Sequence, residues 1–183
     1  MSTSSSEYQD TIQSLREMRK FNWSKEYRQQ HKLKTAGVIT LLTGRYLYAL
    51  MFTYAFTFKL THKWMWTDAL QKHYKQRLSE LPKTSFHAKY LRYFAIPLYM
   101  PIAWFVTIGQ ASIAASTLTG TAVRANAAMG LFMLLNFVAG GYGNKTIGPF
   151  VFYSLVLMAF PTSDWVGFDK ELRKRYPNAI WFK

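Results

Sequence analysis

Residues 93–142 restrict the possible folds of this chain more than any other stretch, because they carry a single formal charge, that of Arg124. A short polar break at residues 119–121 divides the stretch into two apolar runs. As a helix, each run is long enough to cross a bilayer core of about 30 Å at about 1.5 Å per residue. The stretch therefore predicts two membrane-spanning helices joined as a hairpin.

Two further apolar runs, residues 35–58 and 147–160, are separated from this hairpin by charged segments. The last of them is short for a crossing, at about 21 Å of helix. The pattern predicts an all-α fold, an integral membrane four-helix bundle. It divides the chain into a polar, helical N-terminal extension at 1–34, a membrane domain at 35–165 and a basic C-terminal tail at 166–183.

Residues 67–81, between the first and second spans, have a different pattern. Leu70, Tyr74 and Leu78 fall on one helical face among charged neighbours, and Pro82 ends the run. Apolar residues at this spacing are typical of an amphipathic helix. We expect it to lie at the membrane interface.

The residue types present limit the chemistry of the chain. It contains no cysteine, which excludes disulfides, thiolate nucleophiles, iron–sulfur clusters and covalently attached haem. The four histidines (31, 62, 73 and 87) lie outside the apolar runs, so none is expected to ligate an intramembrane haem. We predict no cofactor of its own and no metal site.

The net charge of +14 comes from basic residues that flank the apolar runs. Anionic lipid headgroups are therefore the expected partners, and nucleic acid is not. If four spans cross, both termini share one side, and that side carries more Lys and Arg than the other. By the positive-inside rule both termini are expected in the cytoplasm.

A few polar side chains fall within the spans: Arg45, Lys59, Gln110, Arg124 and Asn136. Burying such groups in a membrane is costly, so each needs water, a headgroup, another helix or a ligand. One interpretation is that the three cations extend to the headgroups and the two amides bond between helices. The other is a polar pocket for a quinone, a lipid or a small anion.

Several segments, in order, resemble the DoxX/DoxD family of membrane proteins. The resemblance covers residues 44–177 and is carried by the following segments: GRYLYALMF at 44–52 with Phe58-Lys59-Leu60, Gln110, LTGTAVR at 118–124 with Ala127-Ala128, LLNF at 134–137, and DWVGFD at 164–169 with Tyr176-Pro177. It implies a four-helix bundle of the bacterial inner membrane associated with redox chemistry. The family commonly has an acidic residue where this chain has Gln110, which favours a supporting role over a catalytic one.

The resemblance leads us to expect a non-catalytic subunit of a larger electron-transfer complex, respiratory or photosynthetic and linked to quinone. Its partners would be membrane lipids and the other subunits, with a quinone or lipid bound between helices. One alternative is the membrane subunit of a thiosulfate:quinone oxidoreductase, in which Arg45, Lys59 and Arg124 attract the anion and the quinone. A second is a small transporter with a path lined by Gln110, Asn126 and Asn136.

Overall fold

The structure is a computed structural model that describes residues 20–182 and Gln13, except for the side chain of Ile180. Within this range the regular structure is helical and no strand occurs, which confirms the predicted all-α class. The first part of the predicted N-terminal helix lies outside the described residues. Further along the extension, one short helix begins after Ser24, whose hydroxyl accepts a hydrogen bond from the Tyr27 amide.

The regular structure of the described residues consists of nine α-helices, two π-helical turns and a 3₁₀ turn. The helices are α1 (Lys25–Gln30), α2 (Lys32–Thr61), α3 (Ala69–Glu80), α4 (Phe86–Tyr90), α5 (Tyr99–Thr119), α6 (Val123–Phe137), α7 (Ile147–Ala159), α8 (Thr162–Trp165) and α9 (Asp169–Arg175). The first π turn is Leu91–Ala95, the second π turn is Val138–Tyr142, and the 3₁₀ turn is Ile180–Phe182.

Three helical segments are long and apolar enough to cross a membrane: α2, α5, and α6 together with the second π turn. The fourth apolar helix, α7, has 13 residues. The second predicted span was placed from residue 93, but α5 begins only at Tyr99. Pro97 explains the difference, because a proline lacks the backbone N–H of a continuing helix and restricts the residue before it.

The helices pack in sequence: α2 lies along α5, α5 along α6, and α6 along α7. Their shared core includes Tyr48, Phe52, Ile113, Val123 and Leu157, all nearly inaccessible to solvent. Buried small residues let the helices approach closely. At Gly130, for example, an added Cβ would collide with the Tyr48 hydroxyl.

Contacts from both chain ends gather at one end of the helices, which we call the Arg45 end. Gly120 ends α5 in a left-handed conformation with φ of 71°. The Asp169 carboxylate then accepts hydrogen bonds from the Ala122 and Val123 amides at the start of α6, at 2.6 and 3.4 Å. The Trp23 indole of the N-terminal extension donates to the Trp165 carbonyl at 3.0 Å. The described parts of both tails are therefore folded onto this end.

Candidate ligand cavity

Arg45 is fully buried and is held at the Arg45 end by backbone oxygens. One guanidinium nitrogen donates to the carbonyls of Thr162 and Val166, both at 2.8 Å, and the other donates to the Tyr46 hydroxyl at 3.2 Å. The guanidinium therefore bonds within the protein. Its hydrogen bonds hold α8 and Val166 against α2.

Lys59, 14 residues further along α2, lies about 21 Å from Arg45 at 1.5 Å per residue. It is 5% exposed, and its ammonium makes one long hydrogen bond, to the Ala55 carbonyl at 3.5 Å. The ammonium lies over the Trp64 ring, 4.9 Å from the centroid, and 5.9 Å from that of Phe137. We call this opposite end of the helices the Lys59 end.

The other predicted site residues are also dispersed. Gln110 is buried in α5, and its side-chain oxygen has no hydrogen-bond partner within the part of the chain that the structure describes. Arg124 donates to the Ala159 carbonyl at 3.4 Å, at the Arg45 end. Asn136 is half-buried near the end of α6, where its oxygen accepts from the Tyr90 hydroxyl at 2.8 Å and its nitrogen donates to the Phe132 carbonyl at 2.8 Å.

A cavity of about 320 Å³ opens beside Asn136 at the Lys59 end. It lies between α3, α4, the first π turn, α5, and α6 with the second π turn. Nine of its seventeen lining residues have aromatic rings, so most of its surface is flat and apolar. These nine are Trp64, His73, Tyr74, Tyr90, Phe94, Phe105, Phe132, Phe137 and Tyr142.

The two π turns shape this cavity. A π turn interrupts the regular i→i−4 hydrogen bonds of a helix, and such turns are frequent at functional sites. In the second π turn Gly141 has a φ of 79°, a conformation that favours glycine. Its carbonyl accepts two hydrogen bonds from the Arg77 guanidinium, the Nε bond at 3.0 Å, and the Ala139 carbonyl accepts one from the His87 ring at 2.9 Å. These bonds hold α3 and α4 against the cavity.

The cavity lining carries polar groups but no Lys, Arg, Asp or Glu side chain. Partial burial lowers the pKa of His73, which favours its neutral form, and nearby Lys59 and Arg77 lower it further while Glu80 opposes them. Burial raises the pKa of the Tyr74 and Tyr90 hydroxyls, which therefore keep their protons. The cavity presents a neutral, hydrogen-bonding surface to a ligand.

Of the five predicted site residues, the structure places Asn136 in the cavity wall and Lys59 directly behind it, against Trp64 and Phe137. Arg45, Gln110 and Arg124 do not line the cavity. Sequence reasoning missed the aromatic residues that make up most of the lining. The available signals were local: Leu70 and Tyr74 share one face of the predicted amphipathic helix, and Tyr90 and Phe94 lie just before Pro97.

Over the described residues, no group of three or more His, Asp or Glu side chains is placed to hold a metal ion. Comparison of the chain with protein-family models, with curated proteins and with solved structures found no match. The resemblance to the DoxX/DoxD family therefore stays a prediction.

Proposed function

We propose that the chain is an integral membrane four-helix bundle in which α7 is the fourth span and α3 lies at the interface. Two observations support the four-span arrangement. Only 33% of the most apolar window of α2 is buried within the protein, which leaves apolar surface for lipid or another subunit to cover. The segment after α7 meets Arg45 and the α5–α6 turn, so α7 leads from the Lys59 end to the Arg45 end.

We further propose that the protein is a non-catalytic, DoxX-like subunit of a quinone-linked electron-transfer complex in a bacterial inner membrane. The observation that carries this proposal is the aromatic cavity. Ligand pockets commonly measure about 300–1,000 Å³, with mostly apolar walls and a few polar groups that orient the ligand. At about 320 Å³ the cavity lies at the small end of this range.

The cavity suits a quinone better than a phospholipid, for three reasons. Aromatic walls offer flat faces and edges against which a planar ring can stack. The absence of charged side chains from the lining suits a neutral carbonyl-bearing ring and gives a phosphate no counter-charge in the wall. The small volume holds one ring and the start of a tail, whereas a phospholipid has two acyl chains.

The test is to purify the full chain from its native membranes in mild detergent. We expect redox proteins to co-purify and quinone to be recovered by solvent extraction. Val106→Trp, which fills the cavity from α5, should abolish quinone recovery. Ile108→Trp, which adds the same ring on an exposed part of the same helix, should not. A lone monomer without quinone would overturn the proposal, and so would phospholipid bound in the cavity.

The positions of the residues support the two alternative functions less well. A thiosulfate:quinone oxidoreductase would use Arg45, Lys59 and Arg124 together, but Lys59 lies at the opposite end from the other two. A transporter would use Gln110, Asn126 and Asn136 as one path. Of these three residues, only Asn136 lines the cavity.

A further inference from the structure

The polarity of the cavity wall changes along its length. Near α3 its wall includes Tyr74, Tyr90 and Asn136, whose side chains carry groups that can form hydrogen bonds. Deeper along α5 and α6 the wall is apolar and includes Phe105 and Phe132. An amphiphilic molecule bound here would experience one polar and one apolar end.

The apolar end reaches the surface of the protein. Phe105 and Phe132 line the cavity, yet they are 50% and 56% exposed. Their rings meet edge to face, 6.2 Å apart between centroids and 88° between planes. They belong to α5 and α6, two of the three segments that can span the membrane. In a bilayer this opening faces the lipid.

We infer that a quinone with a long hydrocarbon tail enters the cavity sideways from the bilayer, between α5 and α6. The inference rests on the proposed function and adds an orientation to it. The quinone ring lies beneath α3, next to Tyr74, Tyr90 and Asn136. The tail leaves past the exposed faces of Phe105 and Phe132 and continues into the lipid.

The groups near α3 have unused capacity for hydrogen bonding. The Asn136 amide uses one N–H toward the Phe132 carbonyl and keeps a second for a quinone oxygen. The Tyr90 hydroxyl donates to the Asn136 oxygen, which fixes the amide in this orientation. The Tyr74 hydroxyl forms no hydrogen bond among the described residues, so its proton is available to a second oxygen.

Photoaffinity labelling tests the orientation directly. The full chain in nanodiscs is irradiated with two quinone probes, one with the reactive group on the ring and the other with it midway along the tail. We expect the ring probe to label Tyr74 or Tyr90 and the tail probe to label Phe105 or Phe132, as read by peptide mass spectrometry. The reverse pattern would overturn the inference.

Binding measurements test the recognition groups. We expect Asn136→Leu and Tyr74→Phe each to weaken binding of a decyl-substituted quinone about 3- to 10-fold, the effect of one lost hydrogen bond. Asn126→Leu and Tyr54→Phe remove the same groups outside the cavity and should leave affinity unchanged. Thermal unfolding of each variant identifies any loss that comes from misfolding.

The two proposals can fail separately. If the wild type binds quinone but both Asn136→Leu and Tyr74→Phe retain its affinity, the orientation is wrong and the proposed function stands. If neither probe labels the cavity and no quinone binds, the proposed function itself fails.

Discussion

Arg45 and Lys59 are both buried cations on α2, yet their surroundings differ. The Arg45 guanidinium satisfies two backbone carbonyls at 2.8 Å, whereas the Lys59 ammonium has one bond at 3.5 Å and two aromatic faces. Removing a cation leaves the carbonyls that it served without a partner. It also removes the cost of burying the charge. The loss of bonded carbonyls should be the larger effect at Arg45, and the removal of a buried charge should offset it at Lys59.

We therefore predict different outcomes when each cation is replaced by methionine. Arg45→Met should destabilise the protein by about 3 kcal/mol, because two carbonyls lose their donor in a buried site. Lys59→Met should change the unfolding free energy by less than about 1 kcal/mol, because an apolar side chain replaces a poorly bonded charge. Thermal unfolding in detergent measures both, with exposed Arg28→Met as the control. Equal losses at 45 and 59 would contradict this account.

At the scale of elements, polar and aromatic contacts join α3 to the second π turn, in addition to its packing against α5 and the first π turn. Arg77 bonds the Gly141 carbonyl, and the His73 ring stacks on Tyr142 with centroids 5.0 Å apart. The Tyr142 hydroxyl also donates to the His73 carbonyl, at 3.4 Å. Because α3 packs less extensively against its neighbours than the long helices pack against one another, it should open locally before they unfold.

We predict that Arg77→Ala increases amide hydrogen exchange in residues 69–80 by about tenfold, and leaves exchange in α2 and α5 unchanged. The expected reason is loss of the bonds to Gly141. Lys75→Ala is the matched control, since Lys75 bonds Gln71 within α3 itself. Comparable exchange in both variants would show that the Arg77 bonds do not hold α3.

The packing of α3 should also become less stable as the pH falls, because His73 becomes protonated. Its pKa is lowered in the folded protein, so the folded state binds this proton less readily than the unfolded state does. The stabilisation is complete above the ordinary histidine pKa of 6.5 and is lost as the pH falls below that value toward the folded pKa.

Hydrogen exchange in residues 69–80 should therefore be faster at pH 5 than at pH 7.5, after correction for the intrinsic exchange rate. His73→Gln should reduce the difference, and exposed His62→Gln should not. An unchanged difference in the His73 variant would exclude His73 as the titrating group.

At the scale of the whole molecule, the main prediction is the membrane topology. The chain contains no cysteine, so single cysteines can be introduced and labelled without background. With four crossings, Gln29→Cys and Asn178→Cys should react with a membrane-impermeant maleimide from the cytoplasmic side. Thr84→Cys should react from the opposite side. If α7 does not cross, residues 84 and 178 will share a side.

The sequence alone determined the all-α class and the three helices that are long and apolar enough to span a membrane. This was possible because a membrane-spanning helix is recognised by length and apolar content, both of which are local properties. The distance between Arg45 and Lys59 was also available from the sequence, since both lie in one helical run. The predicted pocket containing both overlooked this separation, since 14 helical residues place them about 21 Å apart.

Only the tertiary structure decided where a ligand could bind. The cavity is assembled from five segments, and a helix that is apolar all round gives no periodic signal of which face meets which neighbour. The start of α5 beyond Pro97 and the π turn at Gly141 then fix which aromatic rings converge. Asn136 is part of this site because Tyr90, 46 positions earlier, folds back to meet it, and no local pattern in the sequence encodes that contact.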